Sequence, residues 1–146
     1  MSTNFYLRNK QEFIKTQEIN NNVKFKIKEI VEEIKKIVND EDKVERIKWN
    51  LEESVEVGYE KIHIGKRSSG WKPSFEKQEQ FSSVRELKIF YHNNQDKYEI
   101  VDEYNRVYDW GGLVKELITW NPNGKEDIHD SYKDEEGYIW HKYEFI

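Results

Sequence analysis

Apolar and polar positions alternate at the start of the chain. Phe5 and Leu7 fall on one face of an extended segment and Tyr6 on the other, so Thr3 to Arg8 is expected to form a first strand. Asn20-Asn21-Asn22 then reads as a loop and helix N-cap. Beyond it Val23, Ile27, Ile30, Ile34 and Ile37 recur at spacings of four, three, four and three, flanked by Val31 and Val38. That stripe, with Lys24, Lys28, Glu32, Glu33, Lys35 and Lys36 on the opposite face, predicts an amphipathic helix. Asn39-Asp40-Glu41-Asp42 interrupts the pattern, and Val44, Ile47 and Leu51 restart it. A helical hairpin over residues 23–52 is expected, with one bent helix as the alternative.

Period-two alternation returns at Ile62 and Ile64, giving a strand that turns through Gly65–Gly70 and comes back through Trp71, Pro73 and Phe75. Pro73 confines the returning strand to an edge or a strand start. Ser83 caps a helix carrying Val84, Leu87 and Phe90 or Tyr91, and Glu86 completes a capping box. Lys97–Val101 is a further strand, ending in a turn at Asp102–Arg106 where Asn105 suits the left-handed conformation. Gly111-Gly112 loosens the start of a helix with Leu113, Val114, Leu117 and Ile118. Asn121-Pro122-Asn123-Gly124 is a turn, and Gly137–Phe145 a closing strand. The expected fold is α+β: one domain, residues 1–146, with a small antiparallel sheet, an inserted N-terminal helical hairpin and two further short helices.

Composition changes this picture in one respect. Of 146 residues, 36% are hydrophobic and 36% charged, a balance leaning toward solvated chains, but five Trp, nine Tyr and seven Phe supply large rings from which a core is built. The chain has no cysteine, which excludes disulfides and thiolate metal sites and suits a reducing cytosol. Met1–Phe5 has neither the basic start nor the apolar run of a signal peptide, and no stretch has the length of a membrane span, so a cytoplasmic protein without a membrane partner is expected. The net charge is −5, unevenly spread: residues 61–91 hold seven Lys/Arg against three Asp/Glu, whereas residues 92–146 hold six against thirteen. This disfavours a general nucleic-acid binder and leaves room for a local cationic site.

That site is expected where recognition groups are densest, in His63-Ile64-Gly65-Lys66-Arg67-Ser68-Ser69-Gly70-Trp71. Glycines allow close backbone approach, Ser68 and Ser69 donate to anionic oxygens, Lys66 and Arg67 supply charge, and Trp71 offers a stacking face. Neither a P-loop nor a dinucleotide-binding fingerprint is present, and a tight turn with solvated cations is an equal reading. Tyr104 and Arg106 are the expected second contributors. His63 with Asp102-Glu103 offers an acid–base or metal-ligand pair that turn capping explains equally well. His92, His129 and His141 have no metal-ligand spacing, so neither a metal nor another cofactor is expected.

Three blocks resemble a family of small uncharacterised proteins common in bacteriophage genomes. They are Thr3-Asn4-Phe5-Tyr6-Leu7, His63–Trp71 against the family's His-Ile-Gly-Lys-Ser-Ser-x-Gly-Trp, and Asp102-Glu103-Tyr104-Asn105-Arg106 against its Asp-Glu-Tyr-Gly-Arg turn. Many members carry paired cysteines between the first two blocks, resembling a small zinc site; here the helical hairpin stands in their place. The resemblance implies a phage protein acting in the cytoplasm of an infected bacterium, and small proteins of this kind are often counter-defence factors. The expected function is therefore sequestration, without catalysis, of a phosphorylated nucleotide-type signal by His63, Lys66, Arg67, Ser68, Ser69, Trp71, Tyr104 and Arg106. The alternative is an interaction module that inhibits a host protein through the hairpin or the acidic C-terminal region. The hairpin stripe also fits a second copy of the chain. Catalysis through His63 is a third reading.

Overall fold

The computed structural model describes Ser2–Glu144. It is an α+β fold built on one seven-stranded sheet in the order β5-β4-β1-β2-β3-β7-β6. By their contacts the described residues fall into two units: those up to Lys10 together with those from Lys61 onward, and Gln11–Glu60 between them.

The first unit contains the sheet. β1 (Ser2–Asn9) lies inside it, antiparallel to β2 (Lys61–Ser68) on one side and to β4 (Tyr98–Asp102) on the other. β2 continues to β3 (Ser74–Glu76), and β4 to the short edge strand β5 (Val107–Tyr108). β6 (Ser131–Lys133) pairs with β7 (Ile139–His141), which joins β3 in parallel, so the sheet is mixed and larger than the small antiparallel one expected. The end of the predicted closing strand, at Phe145, lies outside the described residues. Alternation works as the sequence implies: Phe5, Leu7, Ile62 and Ile64 are buried on one face, and Tyr6 and His63 face the other way.

Three helical elements supply the partners of that buried face. α3 (Val84–Asn93) is capped by Ser83, whose hydroxyl accepts the Glu86 N–H, and it buries Val84, Leu87 and Tyr91. The Glu86 carboxylate closes the cap one residue earlier than a capping box does, on the Ser82 N–H and hydroxyl. α4 (Trp110–Leu113) starts at an Asp109 cap, so Gly111-Gly112 lies inside the helix rather than before it. It runs into a single π turn, Val114–Ile118, where the Thr119 N–H reaches back five residues to the Val114 carbonyl. Their apolar side chains form one cluster with the sheet, in which Phe75 stacks on Trp140 and Phe81 meets its edge.

β2 is longer than the alternation suggests. Gly65, Lys66, Arg67 and Ser68 are strand residues, and only Ser69–Gly70 forms the turn, with Gly70 at φ 82°. The extra length depends on a bulge: Phe5 opposes Gly65 and Tyr6 opposes His63, leaving Ile64 without a partner. Gly65 also lets β3 approach, since a Cβ there would stand 2.4 Å from the Ser74 carbonyl oxygen.

The second unit is a helical hairpin of α1 (Lys10–Lys35) and α2 (Glu41–Ser54), the latter capped by Asp40. α1 begins well before the predicted Val23, and Asn20–Asn22 lies within it instead of forming a loop. Asn costs a helix only a few tenths of a kcal/mol, and the Asn20 amide exchanges hydrogen bonds with both backbone groups of Val57. The buried stripe is also turned from the expected one: Val23, Ile27, Val31 and Ile34 face Val44 and Leu51, whereas Ile30 and Ile37 are exposed.

Candidate functional site

The predicted site residues separate when placed on the sheet. His63 is held on the face opposite the apolar cluster, its Nδ1 3.1 Å from Glu76 Oε1 and its Nε2 3.0 Å from Asn4 Oδ1. Gln78 donates to the other Glu76 oxygen and to the His63 carbonyl, and Tyr6 packs beside the imidazole. Lys66 lies opposite Asn4 on β1 and Ser74 on β3.

Arg67 faces the other way. Its guanidinium donates to the Glu116 carbonyl (2.8 Å) and carboxylate (2.5 Å) in the π turn, and covers one face of the Trp120 indole at 4.3 Å. Ser68 pairs with Ser2 at the strand end, and its carbonyl accepts the Trp71 N–H across the Ser69–Gly70 turn. Trp71 is half exposed, with Lys125 Nζ 5.9 Å from its ring. Ser68, Ser69 and Trp71 thus stay together while Arg67 leaves them.

Tyr104 and Arg106 belong to the turn between β4 and β5, at the same end of the sheet as Ser68 but across β1. This turn is organised by Asp102, whose fully buried carboxylate accepts the N–H groups of Tyr104 and Arg106, the Arg106 Nε–H at 2.7 Å and the Tyr108 hydroxyl at 2.7 Å. Burial works to raise the Asp102 pKa, but these hydrogen bonds outweigh it and hold the group below the usual carboxylate range. Burial, reinforced by the bond to Asp102, pushes the Tyr108 phenol up to about 12. Asn105 takes φ 66°, the left-handed conformation its position in the sequence suggested.

One concave space is lined by residues to which the sequence analysis assigned no binding role. A cavity of about 310 Å³ opens between three segments: Lys72–Pro73 ahead of β3, Ile118–Pro122 after the π turn, and Glu136–Ile139 entering β7. Its aromatic walls are Trp120 and Tyr138, and Pro73 and Pro122 add flat apolar surface. The wall backbone is bound to the Ser69–Gly70 turn. Lys72 N–H donates to the Lys125 carbonyl, Lys125 N–H to the Gly70 carbonyl, and the absent side chain of Gly124 lets this loop close on Trp71.

Several features shape this wall. Asn121 has φ 47° and Gly137 φ 87°, and the π turn sets the direction in which Trp120 leaves its helix. Arg67 and Glu116 brace Trp120 from behind, making it a fixed wall. The Trp120 indole N–H is buried with no acceptor among the described residues. Tyr138 stays a neutral phenol well into alkaline pH, because burial and then the nearby Glu136 and Asp134 raise its pKa.

The His63–Glu76 pair does not line the cavity, and among the described residues no group of three or more His, Asp or Glu is placed to hold a metal ion. Trp120-Asn121-Pro122 carried the available sequence signal, an aromatic ring beside a proline turn. Its joining with Lys72 and Tyr138, however, is purely tertiary. No helix among the described residues is long and apolar enough to cross a membrane. No family model, no curated protein and no solved structure matches the chain.

Proposed function

We propose that the protein binds a small phosphorylated nucleotide-type ligand and retains it without turnover, and that this sequestration counters a nucleotide-signalled bacterial defence on behalf of a phage. The observation that carries the binding reading is the cavity between Trp120 and Tyr138, beside Lys72 and the Ser69–Gly70 turn. A base stacked on such a ring contributes about 1–3 kcal/mol, and Lys72 supplies a cation in the cavity wall to meet a phosphate. The counter-defence context rests on the sequence resemblance, and with it the site of action in the host cytoplasm.

A melting-temperature screen against mononucleotides, cyclic nucleotides and NAD tests the reading. At about 100 times its dissociation constant a ligand adds roughly 2.7 kcal/mol of stability, a shift of several degrees. The shift is expected to vanish in Trp120→Ala and to survive Arg106→Ala, whose site lies elsewhere. No shift with any nucleotide, or an unchanged shift in Trp120→Ala, rejects it.

A second reading has an observation of its own. Ile19 and Ile30 share one flank of α1, Ile37 is exposed in the turn after it, and Phe25 and Trp49 are each more than 60% exposed on the hairpin. An inhibitor that grips a host protein through this unit loses its partner when residues 11–60 are removed, whereas a nucleotide binder does not.

A further inference from the structure

Resting on the nucleotide reading, we infer that Glu136 limits the charge of the ligand, so that the cavity takes a nucleoside monophosphate and rejects di- and triphosphates. The argument is a count of charges around the cavity. Lys72 Nζ is 3.5 Å from Glu126 Oε1, and Lys133 Nζ is 2.8 Å from the other oxygen of the same carboxylate. Those three groups together carry one positive charge. Glu136, also in the wall, has no cation within ion-pair distance among the described residues and cancels it. Arg67, the next cation along the wall, is engaged by Glu116 behind the Trp120 ring.

The pocket is therefore electrically balanced, unlike a polyphosphate site, where several cations or backbone donors converge on each phosphate. A single phosphate gains one attraction, to Lys72. Each further phosphate adds charge with no cation left to meet it. Size points the same way: about 310 Å³ is the lower end of small-molecule sites and provides one aromatic slot, so a two-base cyclic dinucleotide overfills it.

The test is calorimetric titration of the wild-type chain, Glu136→Gln and Lys72→Gln with the four common ribonucleosides and their 5′-mono- and triphosphates. Glu136 lies in an exposed turn and the Lys72 side chain is partly exposed, so the variants should fold, which a thermal melt checks. For the preferred base, the wild type is expected to bind the monophosphate at least tenfold more tightly than the triphosphate. Glu136→Gln should tighten triphosphate binding about fivefold and leave the nucleoside unchanged, the size expected for one partly solvated charge. Lys72→Gln should weaken the monophosphate and spare the nucleoside. Triphosphate binding equal to or tighter than monophosphate, or an equal effect of Glu136→Gln on all three ligands, overturns the inference and leaves the nucleotide reading standing. If no nucleoside or nucleotide binds the wild type, that reading fails and this one with it.

Discussion

Asp102 shows how much a single side chain can organise. Its carboxylate satisfies four donors while buried, so Asp102→Ala strands the Tyr108 hydroxyl and opens the turn; a loss of roughly 2–4 kcal/mol in urea unfolding is expected. Because its folded pKa is depressed, the stability it contributes is present above the unfolded value and is lost as pH falls through the folded one. Asp102→Asn should therefore flatten the acid limb of the stability–pH curve. Tyr108 has the opposite sign: its pKa is raised, so its contribution is complete below about 10 and disappears as pH approaches 12. An ultraviolet titration should find part of the tyrosine signal still protonated above pH 11. Gly65→Ala is the steric counterpart, expected to cost about 1–3 kcal/mol or more because its methyl meets backbone of β3 rather than a movable side chain. Local chemistry made Asn105 and Ser83 readable in the sequence. The fate of Arg67 was not, because its partner Glu116 is brought to it by the fold from 49 residues away.

At the level of elements, strand alternation was the more dependable guide. Phe5, Leu7, Ile62 and Ile64 each fell on the face that the pattern assigned. The helix stripe was harder because Ile30 and Val31 are both apolar and stand only about 100° apart around the axis, so spacing alone could not choose between them. Val31→Ala is expected to destabilise the hairpin by roughly 2 kcal/mol, and Ile30→Ala by less than about 0.5, in amide-exchange measurements on α1 and α2. Equal effects would mean that the stripe is misassigned. The π turn had no sequence signature, since its sixteen-atom rings use the same helix-forming residues, Val114–Ile118, as an α-helix would.

For the whole molecule, the place where the hairpin interrupts the sheet is well defined. Arg8 and Lys61 are paired neighbours on β1 and β2, so residues 11–60 leave and rejoin the first unit at one point. Replacing them with a two- to four-residue turn should yield a folded protein that keeps the sheet and the cavity, checked by circular dichroism and by nucleotide-induced melting shifts. An unfolded product would show that the first unit needs the hairpin. The α+β class was legible because it follows from local periodicities. The cavity was not, because its three walls are scattered over residues 72–139 and meet through the parallel pairing of β3 with β7 and the backbone bonds of Lys125 to Gly70 and Lys72.

The interior position of β1 bears on biosynthesis. β1 leaves the ribosome before both of the strands that flank it, and Phe5 finds its β4 partner only when Asp102 has been synthesised. At about 5–20 residues per second, that leaves Phe5 and Leu7 unsheltered for several seconds, with pairing delayed by closure of a long loop. Nascent β1 is thus the natural place for a ribosome-associated chaperone to act.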